Sequence, residues 1–174
     1  MKHNVPGTGG FTLIEVIVSL LLMGIISAIW GMGIVQIVEG FLFSRQNIET
    51  LQKGQITMSR LVKEFQALTE ISPDPLPNSS AITFARDSDI PGVRRTIAFD
   101  SINGEIKIDE DVLVDQVNFF KLEYYKRFDS ETPVSPTTES YSEITIIDIR
   151  IGIKGAENTV AEFNNRVFLR GVAG

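Results

Sequence analysis

The side chain whose position most needs a chemical explanation is Glu15. It stands in Gly10-Phe11-Thr12-Leu13-Ile14-Glu15-Val16, directly before a run, Val16 to Val38, that contains no charged residue. A lone carboxylate at the head of so apolar a segment is costly to place near hydrocarbon, and acids in such places are usually paired. Two partners fit. One is the headgroup region, where the carboxylate also complements the positive end of a helix dipole. The other is a positive charge created by cleavage of the chain, the new α-amino group of Phe11. The residues alone leave both open.

Little else offers chemistry. Cysteine is absent, and the one histidine, His3, precedes the Gly9-Gly10 pair. A chain that loses Met1 to Gly10 has neither residue. That excludes thiol catalysis, Ser-His-Asp triads, Cys/His zinc sites and histidine-ligated haem, and it requires the domain to fold without disulfides. Carboxylate-only catalysis of the glycosidase kind needs a defined pair of Asp or Glu, and no pair stands out. Asp109, Glu110, Asp111 and Asp115 form an oxygen-rich group of the sort that suits calcium. Their spacing matches no defined loop, so they read as a solvated acidic turn. Arg86, Arg94 and Arg95 read as a solvated face. The formal charge of −6, or −7 once Lys2 is removed, repels nucleic acid. The expectation is no catalytic residue, no metal, no cofactor and no nucleic-acid partner.

Positioning Glu15 falls to the apolar segment. Hydrophobic residues make up 43% of the 174-residue chain, and the excess is concentrated in this one stretch. From Val16 to Val38 a helix would rise roughly 35 Å, enough for a bilayer core of about 30 Å. A secretory signal places its cleavage site after a short apolar run. Here the glycine-ended polar start precedes a long one, and Ser27-Ala28-Ile29-Trp30-Gly31 offers no A-x-A site. The apolar segment is therefore expected to stay on the mature protein.

Helical spacing continues through Leu51, Met58, Leu61, Val62, Phe65, Leu68 and Ile71, with Gln52, Lys53, Arg60, Lys63 and Glu64 on other faces. One helix is expected from about Phe11 to Ser72, ended by Pro73. Beyond it the period becomes twofold. Ile82/Phe84 and Ile97/Phe99 predict strands, Asn103-Gly104 a turn, and Ile106/Ile108 the return strand. Val112/Val114, then Val117, Phe119, Leu122 and Tyr124, and then Ile147 to Ile153 continue the pattern. Phe163, Val167 and Leu169 suggest a last strand. The class is α+β, a long helix packed on one antiparallel sheet or two small ones. Asp129 to Ser142 reads as an exposed loop. Four parts follow: a leader at 1–10, a transmembrane helix at 11–40, its amphipathic half at 41–72, and a β domain at 73–174.

Gly10 to Glu15, followed by Val16-Ile17-Val18-Ser19-Leu20-Leu21, resembles the N-terminal signal of type IV pilins and type II secretion pseudopilins at every position of the core motif. The resemblance implies that prepilin peptidase cuts between Gly10 and Phe11 and that Phe11 becomes N-methylated. It implies that Glu15 neutralises the Phe11 amine of a neighbouring subunit, a pair that a low-dielectric filament interior strengthens and that fixes register. Glu15 also argues against the tip pseudopilin type, which lacks this glutamate. Family filaments melt part of this helix on assembly. Many major pilins carry a proline there, where this chain has Met32. Gly24, Gly31 and Gly33 then supply local flexibility, or with Gly40 they permit close helix contacts.

Leu113 to Val117, Phe119 to Tyr125 and Arg166 to Arg170 are similar to J-type minor pseudopilins and W-type minor pilins. The implied protein is a structural subunit that primes or caps a type IV pilus or type II secretion pseudopilus. Its implied partners are other pilin or pseudopilin subunits, prepilin peptidase and the inner-membrane assembly platform. Its implied place is the inner membrane, single pass with the globular domain periplasmic, and then the filament. A major pilin of a surface fibre is one alternative. An uncut membrane-anchored enzyme or sensor is another, from a different class.

Overall fold

The computed structural model describes residues 10–86, 90, 92–130, 132–134 and 143–169. The leader residues Met1 to Gly9, Arg170, and most of the expected loop between Asp129 and Ser142 lie outside the described residues. One helix, α1, runs from Leu13 to Gln66. The chain divides into two units, Met1–Ser44 and Arg45–Gly174. In the first, every described residue except Gly33 is exposed.

In the second unit α1 buries Thr50, Gly54, Thr57, Met58, Leu61, Glu64 and Phe65, at the three- and four-residue spacing of one helix face. The helix stops at Gln66, short of the expected Ser72, and Leu68–Ile71 form strand β1 instead. Leu68 and Ile71 are both buried, three residues apart, which imitates a helical repeat. The cause is a bulge between Leu68 and Glu70 in the pairing of β1 with β2 (Ala81–Arg86), which lets both apolar side chains face inward.

β2 continues into β3 (Arg95–Asp100), β4 (Glu105–Ile108) and β5 (Asp111–Val114). The five strands pair antiparallel in chain order. The β3–β4 connection includes the expected Asn103-Gly104, with Gly104 at φ 66 and a would-be Cβ 3.1 Å from the Val117 carbonyl oxygen. Asp100 fastens this turn. It accepts from the Asn103 side-chain amide at 2.8 Å, from the backbone N–H groups of Ile102 and Asn103, and from Lys107 Nζ at 3.0 Å. The Asn103 bonds, and then Lys107, hold its carboxyl far below the usual carboxylate range.

A second, three-stranded sheet has the order β6 (Val117–Tyr125), β7 (Ile146–Lys154), β8 (Val160–Phe168). Ile147, Ile149, Ile151 and Ile153 of β7 all face inward and are fully buried, as their alternation predicts. On β6 Val117, Leu122 and Tyr124 are buried as expected, but a bulge between Val117 and Phe119 puts Phe120 in the core in place of Phe119. Phe119 turns its ring onto Gly152, its cross-strand partner, where a Cβ would overlap it.

The core joins Met58, Leu61 and Phe65 of α1 to both sheets, with the Phe65 and Phe84 rings edge-on at 5.8 Å. One further contact depends on a missing side chain. A Cβ on Gly54 would overlap the Phe163 ring of β8. Gly54→Val should therefore destabilise the domain by about 1–3 kcal/mol through overpacking. Urea unfolding of the full chain in detergent measures this, and an unchanged midpoint would show that β8 shifts freely. Glu64 also departs from expectation. The helix pattern places it among the solvated residues, yet it is 2% exposed, with Arg60 Nε at 3.0 Å and Arg86 Nη1 at 2.8 Å.

Candidate functional site

The N-terminal segment is built from the start of α1. Gly10, Phe11 and Thr12 precede the helix without regular structure, and the helix begins at Leu13. The Thr12 carbonyl accepts from the backbone N–H groups of Glu15 at 3.1 Å and Val16 at 3.3 Å, closing the first turn. Thr12-Leu13-Ile14-Glu15 has the order and spacing of a capping box, in which a side chain three residues into the helix serves backbone donors before it. The acid lies in the first turn, where the dipole favours it.

Ser19 Oγ donates to the backbone carbonyl of Glu15 at 2.7 Å and leaves the carboxylate untouched. Among the described residues Glu15 has no ion-pair partner. Phe11 is 82% exposed. Beyond them α1 contains a stretch long and apolar enough to cross a membrane, none of it buried within the chain. The structure thus brings Gly10, Phe11 and Glu15 together at one exposed helix start.

Gly24, Gly31, Gly33 and Gly40 lie inside the unbroken helix, and a Cβ added at any of them would meet nothing within 4 Å. No packing within a single chain requires glycine there. The other sequence candidates disperse. Asp109 accepts from the Thr96 N–H at 2.8 Å, and Asp115 pairs with Lys53 at 2.8 Å. Among the described residues no group of three His, Cys, Asp or Glu side chains is placed to hold a metal. Of the three arginines, Arg86 is tied to Glu64 and Arg94 to Glu70. One charged residue escaped the sequence reading. Glu39 closes the apolar run that Glu15 opens, and its signal was in view as the first charge after Val38.

Residues 7–31 match the family model of the prokaryotic N-terminal methylation motif. That motif is the signature of type IV pilins and pseudopilins, and it covers Gly10, Phe11, Glu15 and the glycines Gly24 and Gly31. No curated protein and no solved structure matches the chain. The motif supports a type IV pilin-like protein, and the apolar helix near the N-terminus fits a membrane anchor. The motif also implies processing by prepilin peptidase and assembly with other pilin subunits.

Proposed function

We propose that this chain is a minor pilin or pseudopilin, a subunit that primes or caps assembly of a type IV pilus or type II secretion pseudopilus. The observation that carries the reading is the methylation motif at residues 7–31, beside a Glu15 that has no ion-pair partner among the described residues and heads an exposed apolar helix. Cleavage between Gly10 and Phe11, with methylation of the Phe11 amine, produces the cation that Glu15 of a neighbouring subunit neutralises. The helix is the anchor and then the filament core, and the β domain lies on the periplasmic side. Intact mass and N-terminal sequencing from the native host test the processing. A chain beginning at N-methyl-Phe11 is the expected result, and a chain still carrying Met1 to Gly10 overturns it.

The capping-box spacing gives the charge pair a competitor, because Glu15 can also serve its own helix start. Glutamine fills that capping role as well as glutamate does, but it carries no charge. Both Glu15→Gln and Glu15→Ala should be processed normally yet enter filaments about tenfold less well, the loss of roughly 1.4 kcal/mol of pairing. Quantifying subunits in sheared filaments checks this. Normal incorporation of Glu15→Gln would assign Glu15 to helix capping alone.

A further inference from the structure

β1, β5, β6 and β8 are the outer strands of the two sheets, and their edges are not alike. β1 and β5 have four residues each and an irregularity in their pairing. β6 carries a bulge, and Val134 bridges to it at Tyr124. Short length, bulges and covering segments are the usual ways in which a sheet edge is blocked. β8 has none of them. It pairs with β7 over nine residues without a break and contains no proline. Among the described residues it makes no backbone hydrogen bond beyond that pairing. Its Arg166 does not guard the edge either. The Asp148 carboxylate accepts from its guanidinium at 2.6 and 2.7 Å, and the Tyr125 ring lies 5.0 Å away, so Arg166 is held back over its own sheet.

Beside this edge, α1 forms the second wall of an open groove of about 620 Å³. Met58, Val62 and Phe163 give it an apolar lining. Lys63 on the helix wall and Glu162 on the strand wall are exposed, and neither has an ion-pair partner among the described residues. A row of unanswered N–H and C=O groups is a template for an extended backbone about 4.8 Å away. Alternate side chains of such a segment point to opposite faces, so every second one falls toward α1. The surface there suits apolar side chains and, opposite Lys63, a carboxylate. A second copy entering by its own β8 would bring its own α1 to the same place, because α1 flanks β8 in every copy. A lone extended segment brings no helix with it.

We propose that the edge of β8 takes up an extended segment of a different protein as a fourth strand of this sheet. Main-chain hydrogen bonds hold the segment, and its alternate side chains give selectivity. It sets apolar residues on Met58, Val62 and Phe163 and an acidic residue beside Lys63. The inference goes beyond the filament-subunit reading and does not depend on it.

The probe is a fluorescent peptide in which valine and threonine alternate and a glutamate takes the central place on the valine face. Its anisotropy should rise with the full-length chain in detergent and not with empty micelles. N-methylation of alternate residues removes the donors of one peptide edge at a time. Methylating one edge should weaken binding by about tenfold or more, and methylating the other should leave it within about twofold. Lys63→Glu should weaken binding about fivefold, and a peptide with lysine in place of its glutamate should recover the loss on that variant. No binding above empty micelles, or equal effects of the two methylated peptides, overturns strand addition. Unchanged binding to Lys63→Glu overturns the acidic contact. A full-length chain that sediments as a dimer and is split by the peptide assigns the edge to a second copy and overturns the proposal. So does tenfold tighter binding once residues 170–174 are removed, which assigns the edge to the chain's own end. Cleavage after Gly10 tests the subunit reading separately, and none of these outcomes bears on it.

Discussion

A chain carrying Gly10→Val should retain Met1 to Gly10 when produced beside prepilin peptidase, while the parent chain loses them. Gly10 is exposed, lies before the first residue of α1, and has nothing within 4 Å of a would-be Cβ. Valine at this position therefore leaves folding and membrane insertion untouched. On the processing proposed above, its effect falls on the peptidase, which would have to reach the bond between residues 10 and 11 in an open backbone. A β-branched side chain at the cleaved position obstructs that approach. Misplacement of a scissile bond by about 1 Å costs on the order of a hundredfold in rate, so the precursor should dominate. Intact mass of the membrane-extracted protein reads the result directly. Gly24→Val, an equally unobstructed change inside the helix, should be cut like the parent. Equal cleavage of Gly10→Val and the parent would place the processing site elsewhere.

The sequence was most legible where one physical demand acts on many neighbouring residues. The apolar run, the Met58, Leu61 and Phe65 face of α1 and the alternating isoleucines of β7 each satisfy a single repeated requirement and stand where their patterns put them, whereas Leu51, read on the same helix face, is exposed. Legibility failed at bulges. A one-residue irregularity in β1 made Leu68 and Ile71 look helical, and another in β6 exchanged Phe119 for Phe120 in the core. Such shifts depend on cross-strand partners far away in the chain, which no local period records. Glu64 failed for a related reason, since its burial requires Arg86, twenty-two residues later, to arrive on β2 beside it. At the N-terminal segment the opposite holds. Gly10, Phe11 and Glu15 are neighbours in the chain, so their placement around the start of α1 follows from adjacency alone. What a single chain leaves open there is the partner of Glu15, which on the proposed processing would be a cation formed by cleavage.

Glu64→Ala should destabilise the packing of α1 on β2 by about 2–3 kcal/mol, because it removes the buried carboxylate that accepts from Arg86. Glu64 holds two arginines in unlike surroundings. The Arg60 side chain is 55% exposed and keeps its water when the carboxylate goes, so that arm contributes at most about 1 kcal/mol. The Arg86 side chain is 17% exposed, and its bond to Glu64 links β2 to the helix. Arg86 has further interactions of its own, so they would remain as partial compensation. Arg60→Ala therefore serves as the control, since it removes the exposed arm of the same carboxylate and leaves its bond to Arg86 in place. Urea unfolding of the full-length chain in detergent should place Glu64→Ala about 2–3 kcal/mol below the parent and Arg60→Ala close to it. Equal, small losses for the two variants would mean that Arg86 finds water or another acceptor once Glu64 is gone. The hydrophobic contacts of Leu61 and Phe65 would then hold α1 to the first sheet unaided.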